Sequence, residues 1–165
     1  MNAALARPPA IAKELTWRPL REGDLGVVAA LEAESHLAPW TEGNFRDALA
    51  AGYGTMVVES AGGIIAYGVL MLAPGEAQLL NLTVSIAARR HGLGRELLRR
   101  FLRAARELGA EQCLLEVRQS NIAAIGLYSA EGFAAVARRV GYYPPALAGD
   151  SREDALVLRR ALAGP

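Results

Sequence analysis

The chain has 165 residues, enough for one domain, and a chain of this size buries roughly 70% of its unfolded surface. Apolar residues make up 52% of it and the formal net charge is +1, which excludes a disordered chain and a bulk basic field for nucleic acid. Cys113 is the only cysteine, so no intrachain disulfide is possible, and its apolar neighbours mark it as a core residue.

No His/Cys group has metal-site spacing, and no apolar run reaches the roughly 20 residues of a membrane span. Met1 to Ala12 contains Pro8-Pro9 and lacks the layout of a secretory signal. Residues 1–14 therefore read as a disordered tail. The expectation is a soluble, cytoplasmic protein with no metal, no membrane contact and no nucleic-acid partner.

A short strand near Leu15 to Leu20 leads to a helix from about Asp24 to Ser35, where Leu25, Val28, Ala29 and Leu31 recur at helical spacing. After the loop His36 to Trp40, Thr41 is the expected N-cap of a second helix. Asn44 stands where a capping box has Glu or Gln, which predicts an incomplete box. That helix runs to about Ala51, and Gly52 stops it. Gly54 to Glu59 and Ile64 to Leu72 read as hairpin strands turning at Ala61-Gly62-Gly63. Ala73-Pro74-Gly75 turns the chain into a strand from Ala77 to Val84.

The glycine-bearing loop Arg89-Arg90-His91-Gly92-Leu93-Gly94 follows, then a helix from Leu93 to Leu108. In it Leu93, Leu97, Leu98, Phe101, Leu102, Ala105 and Leu108 form one apolar stripe. Arg95, Arg99, Arg100, Arg103 and Arg106 are expected to form a solvated face. Gly109 closes the helix and Gln112 to Val117 is the next strand. A strand, helix and strand at this spacing form a βαβ unit, so the two strands should be parallel. Asn121 caps a short helix to about Ala130, ended by Gly132. Phe133 to Tyr142 and Asp154 to Arg160 read as the last strands, joined by the loop from Pro144-Pro145 to Ser151. The fold class is α/β, with one domain over residues 15–162.

Two glycines at a strand-to-helix turn let a ligand approach the backbone, because no Cβ intervenes. The first amides of the helix lack carbonyl partners and carry the positive end of its dipole. Such a turn is suited to a phosphate or pyrophosphate, and Arg89 and Arg90 add charge beside it. Leu97 occupies the third-glycine position of the dinucleotide pattern, and no Gly-Lys-Ser/Thr follows, which excludes the two commonest phosphate motifs. These residues alone leave two options: a phosphate cradle, or glycines that only set a tight turn.

Glu116 lies in Cys113 to Val117, a strand apolar enough to be buried on both faces. A carboxylate there should have a raised pKa, which suits a general base. The alternative is a strand-end glutamate paired with an arginine such as Arg118. Tyr128 by its pattern is a core aromatic. Leu82-Thr83-Val84 offers backbone groups and one hydroxyl. His36 and His91 read as incidental.

Arg89-x-x-Gly92-x-Gly94, at this place in the order of elements, resembles the pyrophosphate loop of the GCN5-related N-acetyltransferases (the GNAT family). The resemblance runs from about Trp17 to Leu162. Leu115 to Tyr128 (LEVRQSNIAAIGLY), Glu131-Gly132-Phe133, Arg138-Arg139, Tyr142-Tyr143-Pro144, Arg152 to Ala155 and Pro39-Trp40-Thr41 with Phe45 are similar to the RimI-type branch of that family. Members of that branch acetylate the N-terminal alanine of ribosomal protein S18. The similarity lapses over residues 145–151 and has no counterpart for Met1 to Leu15.

The resemblance implies a mixed, mostly antiparallel sheet of six to seven strands with a central parallel pair, flanked by about four helices. It implies acetyl-CoA as cosubstrate, held by Leu82, Thr83, Val84, Arg89, Arg90, His91, Gly92, Leu93, Gly94, Arg95, Asn121 and Tyr128. It makes Glu116 the general base and Tyr128 the acid that protonates the CoA sulfur, and it gives Asn121 a CoA contact beside its capping duty. It makes the N-terminal peptide of ribosomal protein S18 the acceptor. That terminus is basic beyond its first residue, which favours an acidic or aromatic cleft. Candidates for its wall are Glu32, Glu34, Trp40, Tyr142, Tyr143 and Asp154. Two alternatives stay open: the same fold acting on a small-molecule amine or lysine side chain, and a non-catalytic acyl-CoA-binding module.

Overall fold

The computed structural model describes residues 14–162. The tail expected over residues 1–14 lies outside the described residues, Glu14 excepted. In chain order the elements are β1 (Thr16–Arg18), α1 (Leu25–Ser35), α2 (Glu42–Ala50), β2 (Gly54–Ser60), β3 (Gly63–Ala73), β4 (Glu76–Val84), α3 (Leu93–Glu107), β5 (Gln112–Arg118), α4 (Ile122–Ala130), β6 (Ala134–Tyr143) and β7 (Glu153–Ala161). The seven strands lie in the order β1-β2-β3-β4-β5-β7-β6. Neighbours are antiparallel except β4 and β5, which are parallel as the βαβ spacing requires.

Helices cover the sheet on both sides. On one side Leu97, Leu98 and Phe101 of α3 pack with Ala77, Leu79, Leu115 and Val117. On the other, Leu25, Val28 and Phe45 pack with Val57, Tyr67 and Val69. Each fully buried side chain of this size contributes about 1.5–3 kcal/mol relative to exposure. Phe101 approaches β3 so closely that a Cβ on Gly68 would stand 2.6 Å from its ring and 2.9 Å from the Asn81 carbonyl oxygen.

Several expectations need correction. β5 is not buried on both faces. Cys113, Leu115 and Val117 are buried while Gln112, Leu114, Glu116 and Arg118 are only half-covered, because the core formed with α1 and α2 extends over β2, β3 and Leu80 but not over β5. Cys113 is fully buried, and burial pushes its thiol up to about 11. Leu108 is 70% exposed rather than part of the stripe, since it is the C-cap residue beyond the last helical turn. The arginine face is solvated as expected, with Arg95, Arg99, Arg103 and Arg106 exposed, and within it Arg95 and Arg99 also reach Glu131 while Arg100 meets Glu96 and lies 4.2 Å over the Trp17 ring. The capping box at Thr41 is complete. Asn44 Oδ1 accepts from Thr41 N at 2.8 Å and Thr41 Oγ1 accepts from Asn44 N at 3.2 Å. A short amide thus closes the box that Glu or Gln usually closes.

One irregularity positions the site. The β3–β4 register steps between Val69↔Asn81 and Leu70↔Leu79, leaving Leu80 as an extra residue. Such a bulge changes which face the following side chains occupy. Before it, Ala77 and Leu79 face the α3 core; after it, Leu82 and Val84 do. Asn81 and Thr83 are thereby turned toward α1, where they meet Glu32.

Candidate active site

β4 and β5 pair from Glu76↔Gln112 to Leu79↔Leu115 and no further. Beyond Leu79 the two strands part. Ser85 N–H donates to Ile65 O at 2.9 Å. By the alternation of an antiparallel ladder, Thr83 and Asn81 then bond to β3, while Leu82 and Val84 turn their backbone groups into the split. Arg89 Nε donates to Val84 O at 3.1 Å. The N–H and C=O of Leu82 and the N–H of Val84 remain for a guest. Thr83 itself is buried, with its hydroxyl inside the network around Glu32, so this segment serves the split through its backbone.

The glycine loop closes the other end of the split. Gly92 is the N-cap of α3 with φ 81°, a left-handed conformation natural to glycine. Arg90 also has positive φ, 64°. His91 Nδ1 lies 2.8 Å from the Arg89 carbonyl oxygen, which braces the loop. The first intrahelical bond runs from Glu96 N to Gly92 O at 3.0 Å. The amides of Leu93, Gly94 and Arg95 have no acceptor among the described residues, as expected for a first helical turn. The Arg95 guanidinium lies 3.2 Å from Glu131 with half of its side chain exposed. A Cβ on Gly94 would stand 3.5 Å from Leu127 and 3.6 Å from Val84, in the gap between the helix start and the split. Three free amides at a helix dipole, next to free strand amides, fit a pyrophosphate with an extended arm such as that of acetyl-CoA.

Glu116 is the first β5 residue beyond the last β4–β5 pair. Arg139 Nη1 of β6 donates to its Oε1 at 2.8 Å. The arginine beside it is therefore Arg139, two strands away, and not Arg118. Arg118 instead donates to Glu153 at 3.0 Å and lies 4.4 Å over the Tyr143 ring. The Glu116 carboxylate also holds the Tyr142 phenol above its ordinary range. Tyr128 of α4 is 8% exposed and its ring packs on Phe133 at 5.8 Å. Burial pushes its phenol well above the ordinary value, so it is a neutral hydroxyl near pH 7. That hydroxyl makes no hydrogen bond among the described residues and is not one of the buried polar atoms left without a partner, so it reaches the surface and is open to a guest. Asn121 Oδ1 accepts from Ala124 N at 3.2 Å and caps α4 as expected.

The expected acceptor wall divides in two. Trp40 is half-buried, 5.2 Å from Phe45, Tyr142 is exposed beside Tyr143, and Glu34 is exposed on α1. Glu32 is 2% exposed and its oxygens are occupied by internal donors. Asp154 is occupied by Gly141 N and by Arg138, which in that order hold its carboxyl below the usual range. His36, read as incidental, stands 2.7 Å from the Thr83 hydroxyl. Sequence reasoning missed Glu153, which accepts from Ser120 N at 2.8 Å and so orders the turn into α4. It also missed Glu131, which bonds Arg99 through both oxygens at 2.9 and 3.0 Å and ties α4 to α3. Both partnerships are long-range and leave no local sequence signature.

A seven-stranded sheet whose parallel pair splays beside an amide-lined helix start is the frame of an acyl-CoA-dependent acyltransferase. The acetyltransferase (GNAT) family pattern matches residues 17–133, and the chain belongs to that family. It is 34% identical over 139 residues to the ribosomal protein bS18-alanine N-acetyltransferase of Escherichia coli K12, covering 84% of this chain and 92% of that protein. The corresponding Haemophilus ducreyi enzyme is 32% identical over 137 residues, 83% of this chain and 93% of that protein. The crystal structure of the Escherichia coli ribosomal-protein-S18-alanine N-acetyltransferase superposes with a TM-score of 0.83 at 32% identity, covering 92% of this chain and 96% of that one.

Proposed function

We propose that the chain transfers the acetyl group of acetyl-CoA to the α-amino group of a protein, the N-terminal alanine of ribosomal protein bS18. The observation that carries this reading is the position of Glu116 directly beyond the last β4–β5 pair, at the opening where Leu82 and Val84 present their backbone amides. The likeness to bS18-alanine N-acetyltransferases supports the choice of acceptor.

The amides of Leu93, Gly94 and Arg95 hold the pyrophosphate, and the backbone of Leu82 and Val84 holds the pantetheine arm and polarises the thioester carbonyl. An α-amino group has a pKa of about 7.7–8.0, so a carboxylate acting directly or through one water suffices as base near neutral pH. Glu116 takes that proton. The amine nitrogen attacks the carbonyl carbon, the C–N bond forms and the C–S bond breaks. The departing thiolate takes the phenolic proton of Tyr128, which burial keeps on the oxygen until then.

The test is mass spectrometry of a bS18 N-terminal peptide incubated with the protein and acetyl-CoA. A gain of one acetyl group at the α-amine is expected. No gain there, with turnover of a lysine side chain or small amine instead, overturns the acceptor. Calorimetric binding of CoA with no turnover of any amine overturns catalysis.

A further inference from the structure

Glu32 is a buried carboxylate that the chemistry above does not use. Its side chain reaches from α1 to three other parts of the molecule. Tyr67 Oη of β3 donates to it at 2.6 Å, Asn81 Nδ2 of β4 to both oxygens at 3.1 Å, and Trp40 N of the α1–α2 loop at 3.1 Å. No Lys or Arg among the described residues pairs with it, and His36 Nε2 lies 3.6 Å away. A buried carboxylate held by neutral donors is costly to desolvate and is retained where its several acceptor sites hold elements together.

The elements it joins are the two sides of the proposed reaction. Asn81 and Thr83 flank Leu82, whose backbone faces the split, and they point at Glu32 only because of the bulge at Leu80. Trp40 lies on the α1–α2 loop with its ring 5.2 Å from Phe45, in the segment that the resemblance assigns to the acceptor wall. The Thr83 hydroxyl closes the circuit, 2.8 Å from Asn81 Oδ1 and 2.7 Å from His36 on the same loop.

We infer that Glu32 is a positioning residue that sets the acceptor loop in register with the acetyl-holding segment Asn81–Thr83. The inference rests on the acetyltransferase reading above. Glu32→Gln is the probe. The amide keeps the size but turns an NH2 group toward groups that are themselves donors.

Two readouts decide it. Hydrogen exchange of the full chain should show the Trp40 amide and the 81–84 segment loosening together, while α3 keeps its protection. In steady-state kinetics, kcat/KM for the acceptor peptide should fall on the order of 10- to 100-fold, the scale of a small misplacement of reacting groups. That loss should be shared between a higher acceptor KM and a lower kcat, while acetyl-CoA affinity by calorimetry stays within twofold. Tyr67→Phe removes one donor to Glu32 but leaves the bonds from Trp40 N and Asn81 in place, so it should lower Tm and change acceptor KM less than Glu32→Gln does. Thr83→Val should reproduce the kinetic split in milder form and serves if Glu32→Gln does not fold.

Loss of Tm with unchanged acceptor KM and kcat overturns the inference. So does exchange that rises uniformly, or acetyl-CoA affinity that falls by the same factor as kcat/KM. If the wild-type chain does not acetylate the peptide at all, the acceptor reading fails, and hydrogen exchange still decides whether Glu32 couples the two segments.

Discussion

The Arg139 guanidinium stands 2.8 Å from the carboxylate of Glu116, across the intervening strand β7. It also lies 5.0 Å over the Tyr142 ring. The carboxylate proposed as base is thus oriented by a cation and an aromatic residue from β6, on the side of the sheet that α1 and α2 leave open at β5. The arginine side chain is 53% exposed, so an incoming ammonium can replace it at the carboxylate while it turns to water.

This relationship sets the expectation for Glu116→Gln. A pair with one partner largely in solvent contributes about 0–1 kcal/mol, so the variant should unfold close to the wild type. Its kcat should fall about 10²- to 10⁴-fold, the usual contribution of a positioned general base. Acetyl-CoA affinity, which the proposed site places at the α3 start and β4, should not change. Paired thermal unfolding, calorimetry and kinetics check this, and an unchanged kcat removes Glu116 from the chemistry.

Tyr128→Phe separates catalysis from packing in the same way. The ring stays in the core against Phe133, and no hydrogen bond among the described residues is lost with the hydroxyl. Stability should therefore hold or rise slightly. If the hydroxyl protonates the departing thiolate, kcat should fall about 10²-fold or more. The loss should be smaller with an acyl donor whose thiol is more acidic, because that leaving group needs the proton less. Equal losses for both donors would contradict the assigned acid.

What the sequence made legible was local. The capped start of α4, the glycine turn before α3 and the parallel βαβ unit each depend on neighbours within one turn or one connection, and each is present. What it hid was non-local. Glu32 resembles a solvated cleft residue until Asn81 and Thr83 arrive from about fifty positions downstream. Their arrival depends on a one-residue bulge inside AQLLNLTV, which reads as an unbroken strand. In the same way Arg118 looks like the partner of Glu116, being two residues away. Strand alternation puts both on one face, but β7 and β6 bring Arg139 to the carboxylate first, and Glu153 takes Arg118.

The two glycines of the loop should respond differently to alanine. Gly92 has φ 81° and open space around its missing Cβ. Gly92→Ala therefore meets no clash but pays the left-handed penalty of about 1–2 kcal/mol, read as a lower Tm. Gly94 has ordinary helical backbone, and an added Cβ would make normal contacts with Leu127 and Val84. Gly94→Ala should keep or raise Tm by the helix preference of alanine, up to about 1 kcal/mol. Its Cβ occupies the gap between the free amides and the split, so acetyl-CoA affinity should fall severalfold despite the intact fold. Gly94→Ala with wild-type affinity would place the pantetheine arm elsewhere.

The clamp between α3 and α4 gives an acid-dependent prediction. Hydrogen bonds from Arg99, aided by the charges of Arg99 and Arg95, hold the Glu131 carboxyl below its ordinary value of 4.5. A carboxylate depressed in the folded chain stabilises the fold above its unfolded pKa, and that contribution disappears as pH falls through the folded value. Glu131→Gln should thus lower stability by about 1 kcal/mol at pH 7, the net worth of charge-assisted hydrogen bonds to largely exposed arginines. The deficit should shrink below pH 4.5 and vanish once wild-type Glu131 is itself protonated. Because α4 carries Tyr128 and α3 carries the free amides, the variant should also loosen the spacing between the proposed cofactor handle and the proposed acid, read as a lower kcat at pH 7. Denaturant unfolding of both proteins from pH 7 to pH 3 checks the sign, and a deficit that stays constant with pH would show that the carboxylate charge is not what joins the two helices.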